Sequence, residues 1–153
     1  MRRRLTVTGA LFSMLMGLGL VAATQTAAQA HPDETATFEV STNQRSGYIR
    51  IDVYLNNVYA GSGFWSQDPG GDLDGDGNTD PGDAIIAHDA TADGWGIETH
   101  LSTGREASTR GYNSPYWSDW ATGNLAEGTA LRMWVCLVRG DSGACSPSRS
   151  VYA

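Results

Sequence analysis

The chain has 153 residues, 41% of them hydrophobic, with ten arginines, no lysine, 17 acidic residues and a formal net charge of −7. That length suffices for one domain with a modest core. A lysine-free acidic chain lacks the basic patches that nucleic acid or anionic lipid requires, so neither is an expected partner.

Arg2, Arg3 and Arg4 form a basic start, and Leu11 to Ala23 is an apolar run interrupted only by small residues. Ala28-Gln29-Ala30 then offers the small-x-small pattern that signal peptidase accepts. The pattern predicts an export signal over residues 1–30, cleavage before His31, and a single secreted, extracellular domain over residues 31–153. The apolar run is too short to span about 30 Å of hydrocarbon, so no membrane insertion is expected after cleavage. Taking the three leader arginines from ten leaves 7 basic against 17 acidic residues, a mature net charge of −10.

Thr35 to Ser41 reads as a first strand. Ile49, Ile51, Val53 and Leu55 then alternate with Tyr48, Arg50, Asp52 and Tyr54, the period of two of a half-buried strand. Asn56-Asn57 tolerates the positive φ of a type I′ turn, and Val58 to Phe64 returns as the next strand. Gly61-Ser62-Gly63 falls at the end of that strand and lacks the strand–turn–helix setting of a nucleophile elbow.

Residues 72–83 read Asp-Leu-Asp-Gly-Asp-Gly-Asn-Thr-Asp-Pro-Gly-Asp. In the register of a twelve-residue calcium loop, Asp72, Asp74 and Asp76 occupy the first three ligand positions and Gly77 the sharp turn. Asn78 contributes its carbonyl, Asp80 acts through a water, and Asp83 closes the loop. Carboxylates two residues apart in a tight loop converge on one point, as a hard cation seeking six to eight oxygens requires. Starting the register at Asp74 instead places Thr79 at the glycine position and loses the closing acid. The competing reading is an Asp/Gly-rich surface turn held by its own side chains. Five aspartates in twelve positions favour the ion, and Ca2+ is the expected cofactor, in a structural role.

The loop resembles the dockerin type of EF-hand loop, closed by Asp rather than Glu and followed but not preceded by a helix. That resemblance covers residues 72–90. Dockerins carry two such segments and this chain has one, so it implies no cohesin partner. Asp80 and Pro81 form a good helix start, and the pattern predicts a short helix from Pro81 to about Ala90.

Trp95, Ile97, Thr99 and Leu101 alternate as a further strand, and Ser102-Thr103-Gly104 turns into Arg105 to Arg110. His88 and His100 have no third ligand at a recognisable spacing and read as satisfied or exposed histidines. Tyr112, Tyr116, Trp117 and Trp120 lie in a Gly/Ser/Asn/Pro-rich loop over residues 111–123. They are candidate ligand-binding aromatics for an extracellular polysaccharide or protein; alternatively, the two tryptophans cap the core. Trp65, Trp95 and Trp134 read as packed in or on the sheets.

The last hairpin pairs Ala130 to Arg139 with Ala144 to Tyr152 across a Gly-first turn at Gly140-Asp141. That turn sets Cys136 opposite Cys145, and in an oxidising compartment the pair reads as a disulfide. Leu125 to Val135 resembles the turn and strand of fibronectin type III domains, with Glu127 in place of the proline and Leu131 in place of the tyrosine.

Roughly seven short strands with intervening turns predict a mainly β fold, an immunoglobulin-like antiparallel β-sandwich with one short helix after the calcium loop. As a whole the chain resembles small secreted proteins of Gram-positive bacteria, which implies no particular activity. The expected function is a secreted, monomeric, calcium-binding interaction module. The alternative is a small secreted enzyme or enzyme inhibitor whose site is assembled in space; no catalytic constellation is visible.

Overall fold

The computed structural model describes residues 34–43 and 48–153. The export signal over 1–30 and its cleavage site lie outside the described residues. The first sheet begins with β1 (Ala36–Asn43), β2 (Tyr48–Leu55), β3 (Val58–Ser66) and β4 (Ala84–Asp89). These four form an uninterrupted antiparallel meander, and the two-residue β7 (Tyr116–Trp117) extends it beyond β4. The second sheet contains β5 (Gly96–Leu101), β6 (Glu106–Ser108), β8 (Ala130–Arg139), β9 (Ser142–Cys145) and β10 (Arg149–Tyr152). Its order is β10-β8-β5-β6, with β9 also paired to β8.

Two features of the expected fold are corrected. An immunoglobulin arrangement sends the third strand to the opposite sheet, whereas here the first four strands stay together in sequence order. There is also no helix among the described residues, and residues expected to be helical form β4. The physical reason lies in Ala84-Ile85-Ile86-Ala87. A short unbroken apolar run suits a strand buried on both faces as well as it suits a helix, and periodicity alone does not separate them. All four of those residues are fully buried.

The alternation in β2 is realised as read. Ile51 and Val53 are fully buried, with Ile49 and Leu55 packed against the same cluster, while Tyr48, Arg50, Asp52 and Tyr54 occupy the other face. Trp65, Ile85 and Ala87 from the first sheet meet Ile97, Leu101, Met133, Val135 and Leu137 from the second in one core cluster. Each isoleucine, leucine, valine and methionine among them contributes about 1.5–3 kcal/mol on burial. Close approach of the sheets depends on Gly61 and Gly63. A Cβ on Gly63 would lie 2.3 Å from both Thr99 Oγ1 and Val135 Cγ2, and one on Gly61 would lie 2.8 Å from Ile97 Cγ1, all in the second sheet.

Turns follow local chemistry. Asn56 and Asn57 have φ of 51° and 65°, the two left-handed residues of a type I′ hairpin turn. Gly140 (φ 54°) turns β8 into β9, so that Cys136 pairs with Cys145 and their Cα atoms lie 4.0 Å apart, joined by a disulfide. The expected second arm of that hairpin is divided into β9 and β10, which pair with different stretches of β8.

Candidate metal centre

Residues 67–83 leave the first sheet after β3 and return as β4. The neck of this loop is closed by backbone bonds from Gly70 N–H to the Asp80 carbonyl (3.1 Å), Asp80 N–H to the Gly71 carbonyl (3.2 Å) and Asp83 N–H to the Gln67 carbonyl (2.9 Å). Inside the neck the aspartates wind the chain through their own side chains. Asp74 Oδ1 accepts from Asp76 N–H at 3.2 Å and Asp72 Oδ2 accepts from Gly77 N–H at 3.2 Å. Gly77 takes φ +84°, the left-handed turn that its place in the loop requires.

Three carboxylates converge. Asp72, Asp74 and Asp80 each offer an oxygen within 4.8 Å of the other two. Two oxygens bound to one calcium ion at about 2.4 Å each can be at most about 4.8 Å apart. Three carboxylates within that limit, with no histidine or cysteine among them, form a donor set suited to a hard cation. The cluster is thus capable of coordinating a metal ion. Asp72 lies at the surface and Asp74 is half-buried, whereas Asp80 is only 2% exposed.

Asp80 is fixed from behind. Its Oδ2 accepts from Leu73 N–H (2.9 Å) and from the Tyr48 hydroxyl (2.5 Å). Tyr48 also lies against the Gly70 carbonyl, so one phenolic proton faces two acceptors. Burial, then the hydrogen bond to Asp80 and its charge, push the Tyr48 phenol up to about 12. On the other side Trp120 Nε1 donates to Asp74 Oδ2 at 3.0 Å.

The remaining loop residues singled out in the sequence are placed otherwise. Asp76 closes a local turn, accepting from the Asn78 backbone (2.7 Å) and the Asn78 side-chain amide (2.9 Å). Hydrogen bonds from the Asn78 side chain and then its backbone hold the Asp76 carboxyl below its usual range. Asp83 takes φ +49° and turns outward; its Oδ2 accepts from Leu125 N–H at 2.9 Å and its carbonyl from the Arg105 guanidinium. Arg105 reaches the Gly123 carbonyl as well (3.0 Å), so Asp83 ties the acidic loop to the chain before β8.

The aromatic segment divides among three roles. Tyr112 and Tyr116 stack at 4.1 Å, Trp117 lies in β7 against His88, and Trp120 braces Asp74. His88 and His100 stack on Trp117 (4.2 Å) and Trp134 (5.3 Å) in different sheets and share no ligand set. Ser62 is fully buried and donates to Asp52 Oδ1 (2.5 Å), so Gly61-Ser62-Gly63 presents no exposed nucleophile. Sequence reading missed Tyr48 as a support of the loop, because its place in an alternating strand reads only as an outward side chain. Among the described residues no helix is long and apolar enough to cross a membrane. No protein-family model matches the chain, and no curated protein matches it.

Proposed function

We propose that this protein works outside the cell as a binding module whose fold is held by one calcium ion in the dockerin-like loop. The convergence of Asp72, Asp74 and the buried Asp80 carries the reading. A carboxylate 2% exposed, packed beside two others, is expensive to leave without a counter-charge. The basic and apolar N-terminus, the cystine and the acidic composition support export into a medium where calcium is abundant and disulfides persist. The ion's role is structural, because the loop joins two strands and no helix pair is present among the described residues to open on binding.

Thermal melting of the purified protein in millimolar calcium, in millimolar magnesium and in chelator tests this. Calcium is expected to raise the midpoint and magnesium to raise it less, since the smaller ion demands a stricter octahedron. An unchanged midpoint in calcium overturns the proposal.

A further inference from the structure

The outer face of the first sheet holds a groove of about 450 Å³, within the range of roughly 300–1,000 Å³ typical of small-ligand sites. Strand register builds it. Arg50 lies beside Phe64, and Asp52, Ser62, His88 and Trp117 follow one another across β2, β3, β4 and β7. One wall is the stacked pair of His88 and Trp117, and Tyr59 lines the groove together with Tyr48 of β2 and Leu73 of the acidic loop.

We propose that this groove binds a neutral oligosaccharide, with pyranose rings laid against Trp117 and the neighbouring aromatics and hydroxyls bonded to Arg50, His88 and the tyrosines. The proposal rests on the binding-module reading and names its ligand class. Three observations carry it. Aromatic rings and hydrogen-bonding groups line one cleft, and of its eight described lining residues six carry a side-chain donor or acceptor. A ligand with apolar C–H faces and a hydroxyl rim matches that combination.

The groove is also electrically compensated. Arg50 is paired with Asp52, donates to the Tyr59 hydroxyl (3.2 Å) and lies 5.4 Å over the Phe64 ring. Burial, then the charge of Arg50, hold the His88 imidazole below its usual range, which keeps it neutral in neutral solution. Among the described lining residues Arg50 is the one formally charged side chain, and its pairing with Asp52 leaves no uncompensated charge there to recruit an ionic ligand.

Finally, the groups are pre-positioned. Asp52, Ser62 and Tyr59 are linked by hydrogen bonds of 2.5 Å and 2.6 Å, and Trp117 packs against His88 and Phe64, with ring centroids 4.2 Å and 5.5 Å away. Rigid aromatic and planar polar side chains lose little freedom on binding.

Amide-resolved NMR titration of the calcium-loaded protein tests the assignment. The probes are hexasaccharides of β-1,4-linked glucose, xylose and N-acetylglucosamine, with a proline decapeptide as comparator. At least one sugar is expected to give saturable shifts in β2, β3, β4, β7 and at Leu73. Trp117→Ala and Tyr59→Leu should each weaken that sugar at least tenfold, while Tyr152→Ala, an exposed aromatic on β10, leaves it unchanged. If either groove variant fails to fold, the wild-type shift map still decides the site. No saturable shift with any sugar, shifts confined to other faces, or shifts with the proline peptide alone overturn the proposal. Sugar shifts on this face without any effect of calcium on melting uphold the groove and remove the metal reading. A calcium effect without sugar shifts does the reverse.

Discussion

Replacing the loop aspartates one at a time separates the geometry of the centre from its sequence register. Both include Asp72 and Asp74, but the register counts Asp76 as a direct ligand and the structure does not bring it to the cluster. At about 2.4 Å from a divalent ion, one carboxylate contributes about 3.5 kcal/mol even at the dielectric constant of water. An amide oxygen recovers part of that, so Asp74→Asn should weaken calcium by about a hundredfold, or about 2.7 kcal/mol. In calcium about 100-fold above its Kd the wild type gains about 2.7 kcal/mol, and the variant, at about its own Kd, about 0.4 kcal/mol. For a domain of this size those increments correspond to midpoint shifts of about 10 °C and under about 2 °C. Asp72→Asn should behave like Asp74→Asn, and Asp76→Asn should retain most of the wild-type increment. In chelator the sign changes. Carboxylates no more than 4.8 Å apart repel by at least about 0.9 kcal/mol in water and at least about 3.5 kcal/mol at an effective dielectric of 20, so Asp72→Asn and Asp74→Asn should melt no lower than wild type. Differential scanning calorimetry in calcium and in chelator reads both quantities. Loss of the increment in Asp76→Asn together with its retention in Asp74→Asn would refute the three-carboxylate centre.

Gly63→Ala should destabilise by about 1–3 kcal/mol in urea titration, because its Cβ would meet Thr99 and Val135 at 2.3 Å within the core. Opening the cystine with Cys136→Ser and Cys145→Ser together should remove about 2–3 kcal/mol, the loop-closure value for a link across 9 residues; an unchanged urea midpoint would contradict the chain-entropy account. Burial, and then Arg50, lower the His88 pKa, so the unfolded chain takes up this proton first as pH falls. The contribution of His88 is therefore complete above about pH 6.5 and is lost as pH drops through the lower folded value. His88→Gln should flatten the urea midpoint over that interval relative to wild type, and identical slopes for the two proteins would refute the assignment.

The legible parts of this molecule are those in which local chemistry decides. The two-residue period of Tyr48 to Leu55, the Asn56-Asn57 turn and the Cys136–Cys145 pairing each depend on neighbours along one hairpin, and each forms as its residues dictate. Residues 81–90 were illegible for the opposite reason. Asp80-Pro81 is a sound helix start, but Ala84 to Ala87 is buried on both faces as a central strand, and tertiary burial overrides the local signal. The metal loop falls between these cases. Spacing reveals a cluster of acids, yet which of them converge depends on Tyr48 and Trp120, 32 and 46 residues away from the aspartates they hold. The strand β7 is two residues long and carries no periodic signal at all.

The acidic cluster and the groove share structural members, which couples them thermodynamically. Leu73 sits between two of the convergent aspartates and lines the groove, its own N–H held by Asp80. Tyr48 lines the groove with its ring and meets Asp80 with its hydroxyl. Drawing Asp72, Asp74 and Asp80 onto one ion therefore fixes two of the surfaces against which a ligand would lie. Calcium binding would then restrict the groove toward its competent arrangement before the ligand arrives, and the ligand's apparent affinity would rise by the inverse of the fraction competent without the ion. Linkage makes the effect reciprocal: the sugar must tighten calcium by the same factor that calcium tightens the sugar. Calorimetric titrations of each ligand in the presence and absence of the other measure the two factors independently. Coupling typical of proteins, about 1–3 kcal/mol, would appear as about 5- to 150-fold in each direction. It should shrink in Leu73→Ala, which leaves all three carboxylates in place. Undiminished coupling in that variant would show that communication does not run through the shared wall.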